Sequence, residues 1–150
     1  MPLAAISYHI DTANWRDLGA LRHLEQVCFP QDAWPLLDLI AVLTYPNIVR
    51  LKAVYNQKMI GFIAGDRKSS QLAWIATIGV LPEFRGRRIG AALLMECETR
   101  LNVSSIRLNV RQKNEAAIRL YEGFGYRRID AWPRYYTDGA TALVYEKIFP

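Results

Sequence analysis

Between Val80 and Ala92 the chain reads Val-Leu-Pro-Glu-Phe-Arg-Gly-Arg-Arg-Ile-Gly-Ala-Ala, with Arg85, Arg87 and Arg88 interleaved with Gly86 and Gly90. These residues sit where an apolar strand-like run gives way to a helical stripe. A helix start presents unpaired N–H groups and a partial positive charge, which together bind phosphate. Glycines let the backbone come close to the phosphate oxygens, and three arginines within four residues strengthen the field. The P-loop pattern GxxxxGK followed by Ser or Thr is absent, and so is the dinucleotide pattern GxGxxG. The plainer reading of the same residues is a basic turn that caps a helix.

Two further runs carry side chains suited to chemistry. Leu108-Asn109-Val110-Arg111-Gln112-Lys113-Asn114 is followed by Ala117, Leu120, Tyr121, Gly123, Phe124, Gly125 and Tyr126. Downstream stands Arg134-Tyr135-Tyr136-Thr137-Asp138-Gly139, and upstream Phe29-Pro30 closes a helical stripe. The first segment resembles the acetyl-CoA pyrophosphate motif of the GNAT superfamily of N-acetyltransferases: Gln or Arg, two residues, Gly, one residue, Gly or Ala. Two registers fit. Arg87 to Ala92 matches in full, and Arg85 to Gly90 matches except that Arg88 replaces the first glycine. The second run is similar to the family's block L-x-V-R-x-x-N-x-x-A-x-x-L-Y-x-x-x-G-F, with Tyr126 where the family usually has Phe. The tyrosine pair with Asp-Gly, and Phe29-Pro30, resemble the branch that acetylates protein N-termini, including the ribosomal-protein-alanine group.

The resemblance implies acetyl-CoA as cosubstrate and direct attack of an amine on the thioester, without an acyl-enzyme. It implies backbone contacts from Ile78, Gly79 and Val80 to the pantetheine arm, with Asn114 bonding the same arm. Arg85, Gly86, Arg87, Arg88, Ile89, Gly90 and Ala91 would hold the pyrophosphate. Tyr121 matches the family's general acid; its other reading is a core aromatic on its stripe. Asn109 stands where the ribosomal-protein-alanine enzymes carry a glutamate base and some eukaryotic enzymes a histidine. Asparagine takes no proton near neutral pH, so the base is unassigned among Glu25, Asp32 and bulk water, with Asn109 left to hold a relay water. Tyr135 and Tyr136 are expected to wall the acceptor site opposite Phe29, Pro30 and Gln31. The acceptor implied is a protein or peptide N-terminal α-amine. Its pKa near 8 leaves a modest neutral fraction at pH 7. The alternatives are a lysine side chain or small amine, and a degenerate acyl-CoA-binding module.

The positioning elements follow from periodicity. Leu18, Leu21, Glu25 and Cys28 share a helical face, with Leu24 and Val27 beside it and Asp11, Thr12 or Asn14 as caps. A short helix follows Pro35 and ends near Thr44. Ile48–Tyr55 and Met59–Gly65 form a hairpin about Asn56-Gln57-Lys58, and Leu72–Val80 is a third strand. Ile89, Ala92, Leu93, Cys97 and Leu101 make a helical stripe. Ser104–Val110 is a strand, Ala117 to Phe124 a helix, and strands near Tyr126–Ile129 and Thr141–Ile148 complete the chain. Trp132 to Tyr136 fall in the loop between them. The order ααββ-β-α-β-α-ββ predicts one mixed α/β (α+β) domain over residues 1–150, a mostly antiparallel central sheet flanked by helices.

Composition sets the bounds. A chain of 150 residues with 51% hydrophobic and 22% charged residues buries enough surface to fold without disulfides or metals. Cys28 and Cys97 sit among apolar residues without CxxC spacing and read as buried free thiols. No metal-ligand spacing is present. His9 and His23 read as surface or capping residues. Met1 to Ile10 lacks the pattern of a signal peptide and no run reaches membrane-span length, which predicts a cytoplasmic protein. The net charge of +5 is concentrated around Arg85–Arg88 and Arg127-Arg128, which suits a small polyanion better than an extended nucleic acid. Oligomeric state is not readable.

Overall fold

The computed structural model describes residues 5–150. Residues 1–4, which open the segment read as lacking a signal peptide, lie outside the described residues. The elements are β1 (His9–Thr12), α1 (Leu18–Cys28), α2 (Leu36–Thr44), β2 (Ile48–Tyr55), β3 (Lys58–Arg67), β4 (Leu72–Val80), α3 (Ile89–Leu101), β5 (Ser105–Arg111), α4 (Glu115–Gly123), β6 (Arg127–Trp132) and β7 (Ala142–Ile148). Short 3₁₀ turns at Trp15–Asp17 and Pro82–Phe84 precede α1 and α3. No helix among the described residues is long and apolar enough to cross a membrane.

The strands form one sheet in the order β1-β2-β3-β4-β5-β7-β6. All neighbours are antiparallel except β4 and β5, which run parallel. This is the mixed, mostly antiparallel sheet that the element order predicts. Its two faces carry separate cores. Leu93, Leu94, Cys97 and Leu101 of α3 and Tyr121 of α4 pack with Leu51, Ile63, Ile106 and Leu108 on one face. Leu21 and Leu24 of α1 and Leu39, Val42 and Leu43 of α2 pack on Phe62 and Ala64 on the other.

The β2–β3 hairpin turns through Asn56 and Gln57 with φ of 49° and 64°, the paired left-handed residues that match the twist of flanking strands. Four expectations need correction. Asp11 and Thr12 are not caps: they belong to β1, an edge strand paired to β2. Its four residues are too short to show an alternation, and Asn14 alone caps the following 3₁₀ turn. Val27 points outward rather than into the core. Trp132 ends β6, paired to Ala142, rather than opening a loop. Cys28 is only half-buried, whereas Cys97 is buried.

Register in β3 and β4 breaks between Ala64 and Gly65, because Ala64 pairs with Thr77 and Gly65 with Ile75. Ala76 is therefore the extra residue of a β-bulge, which bends and twists the strand. Helix α3 crosses close over this point. A Cβ on Gly65 would stand 2.7 Å from Leu101 Cδ1 and 2.9 Å from Cys97 Sγ. Gly65→Ala is expected to lower unfolding free energy by about 1–3 kcal/mol through overpacking. Urea denaturation should show a lower midpoint at an unchanged m-value.

Candidate active site

The site is opened by a failure of pairing. β4 and β5 are registered only from Leu72 to Trp74 against Ser105 to Arg107. Past the bulge, β4 continues to Val80 and β5 to Arg111 without contact in the ladder. The bulge also resets which side chains face which layer. Ala73 and Ile75 before it, and Ile78 and Val80 after it, pack toward α3. Thr77 instead meets α1, where its hydroxyl donates to Glu25. A Cβ on Gly79 would lie 3.2–3.3 Å from Leu24, Cys28 and Phe29, so α1 rests directly on this end of β4.

Two cavities occupy the wedge. One, of about 720 Å³, is lined by Ile78, Gly79, Val80, Arg85, Gly86, Arg88, Ile89, Gly90 and Ala91. The other, of about 810 Å³, is lined by Trp34, Trp74, Thr77, Asn109, Tyr135 and Tyr136. Both are lined by Phe29, Gln31, Ile78, Asn114 and Tyr121, which mark where they meet. Pro30 lines the first cavity and not the second, while Arg87 lines neither.

The first cavity has the construction of a phosphate site. Gly86 has φ 78° and Arg88 φ 63°, and α3 begins at Ile89. The first bond into the helix runs from the Ala92 N–H to the Arg88 carbonyl at 3.0 Å. The amides of Ile89, Gly90 and Ala91 therefore precede the helical ladder and carry the positive end of its dipole. The left-handed backbone of Arg88 is a conformation that favours glycine. This supports the register that begins at Arg85, in which Arg88 replaces the motif's first glycine. The Val80 carbonyl accepts from Arg85 Nε at 2.9 Å and from Cys28 Sγ at 3.4 Å. Asn114 caps α4 by accepting from the Ala117 N–H at 3.3 Å, and it also reaches both cavities.

Tyr121 stands at the junction. It is buried and packs edge-on against Tyr126, ring centroids 6.0 Å apart. Burial, with a smaller contribution from Tyr136, raises its pKa well above that of a free phenol, so the side chain stays a protonated donor. Tyr121 belongs to the core under α4 and also lines both cavities.

The second cavity has aromatic walls. Trp74 stacks on Trp132 at 6.1 Å, Trp132 meets Tyr135 at 5.3 Å, and Tyr135 meets Tyr136 at 5.0 Å. Asn109 Nδ2 donates a long bond of 3.5 Å to the Tyr136 hydroxyl. Burial raises the Tyr136 pKa, and the Asn109 bond opposes the rise.

Arg111 was part of a motif block but had no assigned role. Its Nε and Nη2 pair with Asp32 at 2.6 and 2.8 Å, and its Nη1 with Asp138 Oδ2 at 2.9 Å. Its guanidinium also lies 4.2 Å from the Tyr136 ring centroid. One side chain thus ties the loop after α1 to the loop before β7. Asp32, one of the open proton acceptors, is held by this ion pair. A partnership across 79 residues leaves no mark in sequence spacing. Glu25 and Thr77 are likewise brought together from positions 52 apart; a carboxylate within the apolar stripe of α1 was the available signal.

The sequence matches the Acetyltransferase (GNAT) family over residues 18–126. It is 32% identical over 139 residues to an uncharacterised N-acetyltransferase of Methanocaldococcus jannaschii, covering 90% of this chain and 88% of that one. The fold superimposes on the crystal structure of the ribosomal-protein-alanine N-acetyltransferase from Escherichia coli with a TM-score of 0.86 and 26% identity, covering 95% and 94% of the two chains. Against Naa50 of Arabidopsis thaliana in complex with the bisubstrate analogue CoA-Ac-MVNAL, the TM-score is 0.79 at 29% identity, over 96% and 100% of the chains. The family match spans most of the chain and the wedge between β4 and β5 lies within it: the protein is a member of the GNAT family of acetyltransferases.

Proposed function

We propose that residues 1–150 act as one acetyltransferase domain, moving the acetyl group of acetyl-CoA onto the N-terminal α-amine of a protein or peptide. The observation that carries this reading is the meeting of two cavities at Tyr121, one built for phosphate and one walled by aromatic rings. The coenzyme's pyrophosphate is placed on the amides of Ile89, Gly90 and Ala91, with Arg85 and Arg88 beside it. The pantetheine arm follows Ile78 to Val80 and passes Asn114, which puts the thioester near Tyr121. The amine enters from the side of Tyr135, Tyr136 and Phe29. As C–N bonding proceeds and the C–S bond breaks, the Tyr121 phenol gives its proton to the departing sulfur.

Two features favour a peptide end over a polyamine. The walls near the acceptor are aromatic, and the nearest loop carboxylates, Asp32 and Asp138, are both engaged by Arg111. The bisubstrate complex of the similar Naa50 joins coenzyme A to a peptide through an acetyl group, and the Escherichia coli neighbour is named for a ribosomal-protein alanine. A cytoplasmic setting, where new protein N-termini emerge, belongs to the same reading.

The direct test measures thiol release from acetyl-CoA with short peptides, free or blocked at the N-terminus, beside lysine analogues and polyamines. Turnover confined to free N-termini is the expected result, and turnover confined to lysine or polyamine would replace this acceptor. Tyr121→Phe is expected to lower kcat by about 10²–10⁴-fold while coenzyme affinity measured by calorimetry changes little. A Cβ on Gly90 would meet only Leu120 and Val80, at 3.7 and 3.8 Å, so the fold has room for a side chain there and the bound coenzyme does not. Gly90→Val should keep its circular dichroism spectrum and weaken coenzyme A binding at least about tenfold by crowding the phosphate.

A further inference from the structure

The acceptor amine arrives largely protonated, and the position that holds a carboxylate or imidazole in similar enzymes holds Asn109 here. A proton acceptor would therefore have to come from the other side chains around the second cavity. Asp32 and Asp138 are committed to Arg111. Behind the cavity wall lies Glu25, which is 1% exposed. Its Oε2 accepts from the Thr77 hydroxyl at 2.9 Å. Its Oε1 is buried and makes no full hydrogen bond, with only the Trp34 amide nearby. A buried carboxylate with an unmet oxygen is costly and calls for a function. Thr77 itself lines the acceptor cavity, beside Ile78 and across from Asn109 and Tyr121. The bulge at Ala76 is what turns the Thr77 side chain from the α3 face to the α1 face.

We propose that Glu25 is the proton acceptor of the transfer reaction and that it acts through the Thr77 hydroxyl. This rests on the amine-acetylating reading above. An N–H bond of the bound ammonium breaks as its proton joins Thr77 Oγ1. The hydroxyl's own proton passes to Glu25 Oε2, so the threonine is unchanged and the glutamate becomes a neutral acid. The freed lone pair attacks the thioester carbonyl, the C–S bond breaks, and Tyr121 protonates the sulfur. Solvent then restores Tyr121 and Glu25 after release. Asn109 keeps Tyr136 in place and takes no proton.

The surroundings suit this role. Burial raises the Glu25 pKa above the ordinary carboxylate range, and the bond from Thr77 and the nearby Trp34 amide partly offset the rise. A base whose pKa lies closer to neutrality is better matched to an amine. The groups facing it are few. Along α1 the titratable neighbour is Cys28, whose thiol is itself pushed up by burial. From β4 it meets Thr77, and from the loop the Trp34 backbone. The buried residues of α2 and β3 on this face are Leu39, Val42, Leu43, Phe62 and Ala64, none of which titrates.

The sign of the pH dependence follows. The acceptor must be ionised, so wild-type turnover is lost only as pH falls through the raised pKa of Glu25. Without the acceptor, the enzyme depends on amine already neutral in solution, and turnover falls about tenfold per pH unit below the amine's pKa near 8. Glu25→Gln keeps the size and the Thr77 bond. It is expected to match wild type at alkaline pH and to fall about tenfold behind near neutrality, with coenzyme affinity unchanged. Thr77→Val should behave alike, and Thr77→Ser, which keeps the hydroxyl, should recover the wild-type profile. In the free protein, a carbon-13 NMR titration should show the Glu25 carboxyl losing its proton above the ordinary carboxylate range. Superimposed wild-type and Glu25→Gln profiles would overturn the proposal, as would a Glu25 carboxyl that stays protonated throughout the active range. The same variants are assayed on whichever amine the wild type accepts. A lysine-only wild type would then remove the N-terminal reading while the profiles still decide the role of Glu25.

Discussion

Everything in this molecule turns on where the β4–β5 ladder stops. A parallel pair joins the two halves of the sheet over three residues a side and then lets them separate. Sheets twist by default, but twist alone does not unpair neighbours. The extra residue at Ala76 adds the bend that does. The opened end of β4 is left with backbone groups that a ladder would have used, and α3 delivers its amides to the same gap. The fold can leave the wedge open because the shared core beneath α3 and α4 holds both halves together, with Ile106 and Leu108 from one side and Ile63 and Ile75 from the other.

A wedge has two mouths, and the second is shaped by Arg111. The loop carrying Phe29 to Trp34 and the loop carrying Tyr135 to Asp138 lie far apart in the sequence, and Arg111 bridges them through Asp32 and Asp138. Partly exposed ion pairs contribute little to stability, so the worth of this one is positional. A planar guanidinium with two carboxylate partners and an aromatic ring over its face has one arrangement that satisfies all of them. By pairing with the two loop carboxylates it also offsets their negative charge at this mouth of the wedge.

What the sequence made legible was local. The arginine-glycine turn before α3, the cap at Asn114 and the position of Tyr121 on a helical stripe each depend on residues within one or two turns of each other, so spacing alone points to them. The central strands were legible because each is a run of seven residues or more, rich in apolar and β-branched residues. Edge strand β1 was not, since four residues with one half-buried isoleucine carry no period. Arg88 shows the limit in another form: its residue type departs from the motif while its backbone adopts the left-handed geometry that the motif's glycine would give. The bulge at Ala76, the Arg111 clamp and the Thr77–Glu25 bond were not legible, because each depends on how distant segments are registered.

The buried carboxylate also bears on how such a fold balances stability and activity. Filling the position of Glu25 with an apolar residue would complete the stripe of Leu21 and Leu24 and relieve a desolvated oxygen. Keeping a carboxyl there costs stability in its ionised form, and this cost raises the pKa. The same holds for Tyr121, where burial keeps the phenol protonated. Tyr121 lines the junction of the two cavities, Glu25 lies behind the wall at Thr77, and burial moves both pKa values upward. The effects on them differ in sense: the phenol is held in its proton-bearing form, while the carboxylate becomes a stronger base. Burial between α1 and α4 thus holds a proton donor and strengthens a proton acceptor from one physical cause, the removal of both groups from solvent.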